Sequence, residues 1–270
     1  MESNQWPVKV TSLPPHARMP GRRHDTRVKH LFVLADSLSF QGPGQPVPPT
    51  DTRLYPNVCA EALTKSGWGR VQVDLLARQG WTARDAWWAL TKDPMAFGVY
   101  VHRADAFVIG VGGMDQLPAA IPTWWRDSIP YLRPGGLRRI TRRAYHGGSP
   151  WGIRLLSGWL RQLPQAATDR YLDRIITAVR HWRPGIPVVL MGPSPWNART
   201  YPVQRTHAPA VAAARSWAKG HQVQFVDLDP LVQPDLASGF ANPDGLHWAW
   251  ATHERVGEAL ARALTVTGQR

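Results

Sequence analysis

The sequence of 270 residues has one cysteine, few acidic side chains and no long apolar run. A single cysteine, Cys59, cannot form an internal disulfide, so we expect a reducing compartment, the cytoplasm. No run approaches the roughly 18 apolar residues that a membrane-spanning helix needs, which argues against stable membrane insertion. Residues 1–29 contain no apolar segment after a basic start, so they do not predict a secretory signal.

Several motifs of cofactor chemistry are also missing. No Gly-x-Gly-x-x-Gly follows a strand-like run and no Gly-Lys-Ser loop occurs, which argues against a nucleotide cofactor. No His-Glu-x-x-His or Cys-x-x-Cys pattern occurs, and His207, His221 and His253 have no partners at metal-ligand spacing. The sequence therefore predicts neither a metal nor a cofactor.

The charge is strongly positive and unevenly placed. The chain has 32 Lys and Arg against 19 Asp and Glu, a net +13. Residues 1–30 hold six basic and two acidic side chains, and residues 126–161 hold eight Arg with Asp127 as their only acid. A local excess suggests an anionic partner such as phosphate groups or an acidic membrane surface, although a solvated basic face is the more ordinary explanation. Since no nucleic-acid-binding motif is present, we expect no nucleic-acid partner.

Five short runs rich in Val, Ile, Leu and Phe predict strands that are buried on both faces of a parallel sheet. These runs are residues 31–34, 71–76, 106–111, 186–191 and 223–228. Helical patterns lie between them, at residues 169–182, 205–219 and 249–264. For the first of these helices we expect Thr168 or Asp169 at the start and Pro184-Gly185 at the end. Strands alternating with helices predict an α/β fold with helices on both faces of the sheet.

The predicted organisation is a flexible arm over residues 1–28 and a single domain over residues 29–270. Residues 116–167 depart from the alternation, as a long excursion rich in Trp, Arg, Pro and Gly between the third and fourth strands. A segment of this length inside one domain is typical of a lid or a binding insertion. Its prominent side chains are Trp124, Trp125, Trp151, Trp159, Arg138, Arg139, Arg142 and Arg143.

A serine stands at the end of the first predicted strand, in Ala35-Asp36-Ser37-Leu38. Open α/β sheets bind ligands at the carboxyl ends of their strands. A serine there can also simply cap the next helix. Here the chain continues at once into Gly42-Pro43-Gly44, which indicates an exposed, sharply turned loop. Ser37 is therefore the candidate nucleophile.

A second polar motif, Asp244-Gly245-Leu246-His247, precedes the last predicted helix. Asp and His three residues apart in a turn can share a hydrogen bond that fixes the imidazole tautomer and stabilises the imidazolium. Alone, such a pair is usually turn chemistry. Together with Ser37 it provides a nucleophile, a base and a carboxylate that orients the base, which is the set that acyl transfer needs.

Glycines follow two other predicted strands, at Gly80 and at Gly112-Gly113-Met114-Asp115. Glycine lets a backbone N–H approach a developing oxyanion closely, although each is also an ordinary turn residue. Gly80 and Gly113 are therefore candidate backbone donors of an oxyanion hole.

In this order, the four blocks resemble those of the SGNH (GDSL-type) hydrolase superfamily. The resemblance implies a flavodoxin-like three-layer αβα sandwich with a parallel five-stranded sheet, and a triad of Ser37, His247 and Asp244. It also implies that the backbone N–H groups of Ser37 and Gly80 donate to the oxyanion. Met114 stands where the superfamily has asparagine and has no side-chain N–H to donate, so the third donor is open.

The Trp-rich run after Gly80 and the Gly-Gly-Met-Asp variant at residues 112–115 resemble, more narrowly, the actinobacterial diglucosylglycerate octanoyltransferases. That resemblance implies transfer of an octanoyl group from octanoyl-coenzyme A to a glucose hydroxyl of diglucosylglycerate, a step in the synthesis of mycobacterial methylglucose lipopolysaccharide. Acyl-coenzyme A is then a co-substrate. An esterase or thioesterase would use the same residues, and a non-catalytic basic binding protein is the remaining alternative.

Further substrate contacts are predicted around these blocks, at Asp36, Trp81, Arg84, Met114 and Asp115. Arg84 is a candidate for binding the glycerate carboxylate, and the Arg-rich insertion for the phosphates of coenzyme A. Trp81 can stack on a sugar or line an acyl pocket, although Trp at helical spacing is as often part of a core.

Overall fold

The computed structural model describes residues 27–121, 125, 128, 131, 133–156, 158–239 and 242–267. Residues 1–26 of the predicted arm therefore lie outside the described residues. Trp124 of the insertion also lies outside them. The strands are β1 (Lys29–Ala35), β2 (Val71–Ala77), β3 (Ala106–Gly110), β4 (Val188–Met191) and β5 (Gln224–Val226). The main helices are α1 (Tyr55–Leu63), α2 (Ala83–Lys92), α3 (Gly135–Leu155), α4 (Gln165–Trp182), α5 (His207–Gly220), α6 (Asp229–Ser238) and α7 (Trp250–Thr267).

The strands form one parallel sheet in the order β2-β1-β3-β4-β5. In its centre Ala35 pairs with Ala77 on one side and with Gly110 on the other. Because every neighbouring pair is parallel, the segments that follow the strands all leave from the same edge of the sheet. The predicted five-stranded parallel sheet, with helices on both faces, is confirmed.

Alternation along each strand builds a separate core on each face of the sheet. In β1, Phe32 and Leu34 are buried among side chains of α2, α4 and α5. Leu31 and Val33 are buried on the opposite face, among side chains of α1, α6 and α7. Full burial of such a side chain contributes about 1.5–3 kcal/mol. Both faces therefore demand apolar residues, which explains why the strand sequences are almost continuously apolar.

The helix α4 begins earlier than its sequence pattern predicted. It starts at Gln165, after Pro164, and not at Thr168 or Asp169. The Thr168 hydroxyl is used for another contact, since its Oγ1 donates a hydrogen bond to Asp115 at 2.8 Å. The end is as predicted, because α4 stops at Trp182, just before Pro184-Gly185.

The insertion over residues 116–167 is mainly helical in its described part, where α3 is its long element. The α3 helix packs on the domain through Ile153, which is fully buried, and through Gly152, where an added Cβ would lie 3.1 Å from the Cβ of Ala120. The chain returns alongside the end of β3, with Ala119 N–H donating to the Leu160 carbonyl at 2.8 Å. The base of the insertion is thus held beside the carboxyl edge of the sheet.

Candidate active site

The turn that follows β1 holds Ser37 in a fixed position at the carboxyl edge of the sheet. Asp36 begins the turn, and its Oδ1 accepts a hydrogen bond from Leu38 N–H at 3.0 Å. The hydroxyl of Ser39 donates to the Asp36 carbonyl at 2.7 Å. An Asp side chain that bonds the backbone two residues later favours a tight turn over a regular helix start. This local chemistry explains why the serine follows the strand at once.

The structure brings Ser37, His247 and Asp244 together. His247 Nε2 lies 3.0 Å from Ser37 Oγ, and its Nδ1 lies 2.5 Å from Asp244 Oδ2. The other oxygen of Asp244 accepts backbone N–H groups of Leu246 at 2.8 Å and His247 at 3.0 Å. Burial alone would raise the pKa of Asp244, but these hydrogen bonds from His247 and Leu246 outweigh it and hold that pKa below its usual 3.8. The carboxylate is therefore ionised at neutral pH, and it orients the imidazole towards the serine.

The loop that carries Asp244 and His247 depends on Gly245. Gly245 has φ +69°, a conformation that favours glycine. A Cβ at this position would lie 2.0 Å from the carbonyl oxygen of Asn197. The Gly245 carbonyl accepts a hydrogen bond from Asn197 N–H at 2.8 Å. The segment after β4 therefore holds this loop in place through a direct backbone contact.

Two further hydrogen bonds join the serine loop to the carboxyl-terminal part of the chain. Asn242 Nδ2 donates to the Gly42 carbonyl at 3.2 Å, and His253 Nε2 donates to the Gln41 carbonyl at 3.1 Å. His253 Nδ1 accepts from Tyr55 N–H at 3.3 Å. Burial lowers the pKa of His253 to about 4, so the ring is neutral, as this pattern of one donor and one acceptor requires. These bonds hold the two halves of the site together.

An apolar cleft that is partly open to solvent lies beside Ser37 and His247. Its other lining residues are Asp36, Leu38, Gly113, Met114, Leu117, Ser194, Pro195, Trp196 and Leu246. The sequence prediction included Asp36, Gly113 and Met114 but missed Leu117, the segment 194–196 and Leu246. The position of residues 194–196 just after β4 was the available signal, since that strand ends at the same edge as β1.

The wall formed by Ser194 and Trp196 is fixed by hydrogen bonds from side chains. Trp196 Nε1 donates to the Tyr201 carbonyl at 2.8 Å, and Trp248 Nε1 donates to Ser194 Oγ at 3.1 Å. Gln116 Nε2 donates to the Ser194 carbonyl at 3.1 Å. These bonds hold this wall of the cleft in place.

The glycines proposed for the oxyanion hole lie at the same edge of the sheet. Gly113 lines the cleft, and an added Cβ there would lie 3.9 Å from Asp36 Oδ2. Gly80 follows β2, the strand that pairs with β1, and has φ +73°. The role of Ser37, Gly80 and Gly113 as backbone donors stays a prediction.

Asp36 and Asp115 are both buried, and burial raises the pKa of each to about 7. Asp36 lines the cleft, whereas Asp115 points into the protein. Asp115 accepts Ala83 N–H at 3.0 Å and the Thr168 hydroxyl at 2.8 Å, so it ties the start of α2 to α4. The substrate contact predicted for Asp115 stays a prediction, with internal donors already bonded to its carboxylate.

Apart from the residues that line the cleft, the predicted substrate contacts still to be placed are Trp81 and Arg84. Both lie around the first turn of α2. Trp81 is half-buried and packs against the core between the sheet and α2. The Arg84 guanidinium is partly exposed and lies 3.7 Å from Asp85 Oδ1. Contacts of these two side chains with a substrate stay predictions. Among the described residues, no group of three or more His, Cys, Asp or Glu side chains could hold a metal ion.

Comparison with known proteins gives a family match over most of the chain. Residues 36–255 match the model of the GDSL-like Lipase/Acylhydrolase family. The diglucosylglycerate octanoyltransferase of Mycobacterium tuberculosis is 39% identical over 239 residues, which cover 88% of this chain and 93% of that protein. The diglucosylglycerate octanoyltransferase of Mycolicibacterium hassiacum is 40% identical over 253 residues, 93% of this chain and 98% of the relative.

Solved structures support the fold at lower identity. A lipase/acylhydrolase from Enterococcus faecalis superposes with a TM-score of 0.58 at 18% identity, over 89% of this chain and 96% of its own. TesA superposes with a TM-score of 0.57 at 15% identity, over 88% and 99%. At such identities the likeness establishes the three-layer architecture alone.

Proposed function

Since the chain belongs to the GDSL-like Lipase/Acylhydrolase family, we propose that it is a serine-dependent acyltransferase that moves an octanoyl group from octanoyl-coenzyme A to a glucose hydroxyl of diglucosylglycerate. The single observation that carries the chemistry is the Ser37–His247–Asp244 arrangement, with 3.0 Å between Ser37 Oγ and His247 Nε2. The substrate pair follows the two mycobacterial relatives, which this chain matches over nearly their whole length.

In the first half-reaction, Ser37 Oγ attacks the thioester carbonyl while His247 Nε2 takes its proton. Asp244, ionised and 2.5 Å from Nδ1, stabilises the imidazolium that forms. When the tetrahedral intermediate collapses, the carbon–sulfur bond breaks and His247 returns the proton to the departing thiolate. The products are an octanoyl ester of Ser37 and free coenzyme A.

In the second half-reaction, His247 Nε2 takes the proton of the acceptor hydroxyl, whose oxygen attacks the acyl-serine carbonyl. The bond between the acyl carbon and Ser37 Oγ breaks, and the serine recovers its proton from His247. Transfer exceeds hydrolysis only when the acceptor is held well and water is kept out. We assign that role to the insertion over residues 116–167 as a lid, since its first residues, including Leu117, form part of the cleft.

Three backbone N–H groups are proposed to stabilise the oxyanion, those of Ser37, Gly80 and Gly113. All three residues lie at the carboxyl edge of neighbouring parallel strands. Met114 offers no side-chain donor, and its place in the apolar wall of the cleft indicates that it contacts the acyl chain instead. A missing oxyanion donor costs roughly 10²–10³ in turnover, which makes a backbone replacement at Gly113 a requirement of the mechanism.

The octanoyl chain is proposed to occupy the apolar cleft, between Met114 and Leu117 on one side and Trp196 on the other. Each buried methylene contributes about 0.8 kcal/mol, so a cleft of this kind favours a medium-length acyl group over acetate. Outside the cleft, Arg84 is proposed to bind the glycerate carboxylate and Trp81 a sugar ring. The Arg-rich insertion is proposed to bind the phosphates of coenzyme A through arginines other than Arg138, Arg143 and Arg154, such as Arg139.

We further propose that the protein works in the cytoplasm, with acyl-coenzyme A as a co-substrate and without a bound cofactor. Cys59 is a free, buried thiol. Burial raises its pKa far above the usual value, so the thiol is protonated and a poor nucleophile at neutral pH.

The deciding experiment is mass spectrometry of the full chain incubated with octanoyl-coenzyme A, with and without diglucosylglycerate. We expect an octanoyl ester of the acceptor that requires both the acceptor and the intact protein. The Ser37→Ala variant is expected to make none, while Ser66→Ala, a change at a serine whose hydroxyl only bonds the Leu63 carbonyl, keeps full activity.

Free octanoate released equally fast without acceptor would assign the protein as a thioesterase. Retention of transfer in Ser37→Ala would overturn the proposed nucleophile. Circular dichroism of both variants separates loss of chemistry from loss of folding.

A further inference from the structure

The helix α3 carries an apolar stripe that is open to solvent. Leu137 and Ile140 lie near its start and Trp151 and Leu155 near its end, with Gly147, Gly148 and Pro150 between the two pairs, and within each pair the side chains fall within about 60° of each other on a helix of 3.6 residues per turn. Their exposed fractions are 47%, 67%, 69% and 69%. Single exposed apolar side chains are ordinary, but two exposed apolar pairs on one helix mark an interaction surface, and we call these four side chains the apolar stripe.

The stripe faces away from the body of the protein. The helix is fastened to the protein through Ile153, which is fully buried. Ile153 projects about 160° around the axis from Leu155 on such a helix. Trp151 and Leu155 therefore lie on the face opposite this contact, where an external partner can reach them.

The charge around the stripe points to the chemistry of that partner. Residues 128–161 contain seven Arg and no Asp or Glu. Arg143 and Arg154, both exposed, project beside one edge of the stripe, and Arg138 projects beyond the other. An apolar face with Trp, Leu and Ile, flanked by arginines, is typical of helices that lie in the surface of an anionic membrane.

We propose that α3 docks on an anionic lipid bilayer. The apolar stripe lies at the boundary between the headgroups and the acyl chains, and the flanking arginines contact lipid phosphates. A second copy of the chain fits poorly, because it would bring a surface with the same excess of arginine against this one. The basic residues 1–30 fit poorly for the same reason. A nucleic acid would neutralise the arginines but leave Leu137, Ile140 and Leu155 without apolar contact.

The docking is peripheral. Within the part of the chain that the structure describes, no helix is long and apolar enough to cross a membrane. The helix α3 is thus expected to lie parallel to the surface, held by buried apolar area together with attraction to lipid charge. Binding should therefore need anionic lipid, should weaken with salt and should depend on the apolar stripe as well as on the arginines.

The test is co-sedimentation of the full chain with vesicles of phosphatidylcholine, with or without phosphatidylglycerol. We expect the protein to pellet only with the anionic vesicles and to be partly released at about 1 M salt, where screening acts within about 3 Å. The double variant Ile140→Glu, Trp151→Glu should weaken binding at least about tenfold, because it places two carboxylates in the apolar stripe. Replacing Arg143 and Arg154 by Gln should also weaken it.

The matched control is Val266→Glu, which also places a carboxylate at an exposed apolar position, on α7. It should bind as the unchanged protein does, and circular dichroism should show that all variants are folded. The proposal is overturned if the protein stays in the supernatant, if neutral vesicles bind it equally, or if Val266→Glu weakens binding as much as the double variant. It is also overturned if sedimentation velocity shows a dimer that the double variant abolishes, or if single-stranded DNA binds with the same dependence on the stripe.

Discussion

The backbone N–H of Asn197 donates a 2.8 Å hydrogen bond to the carbonyl of Gly245, two residues before His247. This contact joins the segment after β4, which forms a wall of the cleft, to the loop that carries the imidazole. The position of His247 relative to Ser37 therefore depends on how closely these two backbones approach.

Gly245→Ala is expected to lower the rate of acyl transfer by roughly 10²-fold. A Cβ would lie 2.0 Å from the Asn197 carbonyl oxygen, so the loop must move, and misplacement of a reacting group by about 1 Å costs about that much. Steady-state kinetics with octanoyl-coenzyme A measures the change. Gly185→Ala is the control, since Gly185 has a similar φ of +74° but no neighbour within 4 Å. Equal losses in both variants would show that backbone strain, and not the Asn197 contact, matters.

Asp244→Asn is expected to lower kcat by roughly 10³–10⁴-fold with little change in stability. An amide cannot stabilise the imidazolium and can favour the wrong tautomer of His247. Pre-steady-state release of coenzyme A measures the acylation step. Asp227→Asn removes a carboxylate from an exposed ion pair with Arg215 and should leave the rate unchanged. A fall of less than about tenfold in Asp244→Asn would contradict the assigned role of the carboxylate.

The free energy of unfolding of Asp115→Asn is expected to rise, relative to that of the unchanged protein, as pH increases from 5 to 8. The pKa of Asp115 is raised to about 7, above the roughly 3.9 of an unfolded chain, so the folded state binds more protons between those values. Stability contributed by the protonated form is present below about pH 4 and is lost as pH rises to about 7. The asparagine does not titrate and escapes that loss.

Urea unfolding at the two pH values measures the free energies that this prediction compares. Asp51→Asn is the control, because the pKa of Asp51 is lowered to about 2, chiefly by hydrogen bonds from the side chain and backbone of Arg53. The difference in the free energy of unfolding between Asp51→Asn and the unchanged protein should not vary above pH 5. A constant difference for Asp115→Asn as well would mean that Asp115 is ionised throughout this range.

Leu117→Phe is expected to shift the donor preference towards shorter acyl chains. The larger side chain fills part of the apolar cleft, and the four methylenes that distinguish octanoyl from butanoyl contribute about 0.8 kcal/mol each when buried. The ratio of kcat/KM for the two thioesters should fall at least about tenfold. Leu90→Phe makes the same change in the core under α2, away from the cleft, and should leave the ratio unaltered. An unchanged ratio in Leu117→Phe would place the acyl chain elsewhere.

The sequence by itself determined the sheet and the position of Ser37, because apolar periodicity is a local property and a parallel sheet puts every segment that follows a strand at one edge. The loop with Asp244 and His247 follows α6 and not a strand, so its meeting with Ser37 was implied by the resemblance to the SGNH superfamily and not by order along the chain. The 2.5 Å between His247 and Asp244 follows from the turn that Gly245 allows locally, whereas the 3.0 Å between Ser37 and His247 depends on the long-range contact of Asn197 with Gly245.

Only the tertiary structure decided the shape of the cleft and the role of Asp115. The cleft wall combines Leu117, Trp196 and Leu246 from three separate loops, and nothing local in any of them indicates that they meet. Asp115 reads as a substrate contact in sequence, but the close approach of α2 and α4 supplies Ala83 N–H and the Thr168 hydroxyl as donors. Long-range packing assigns such polar groups to their partners, and local pattern does not contain that information.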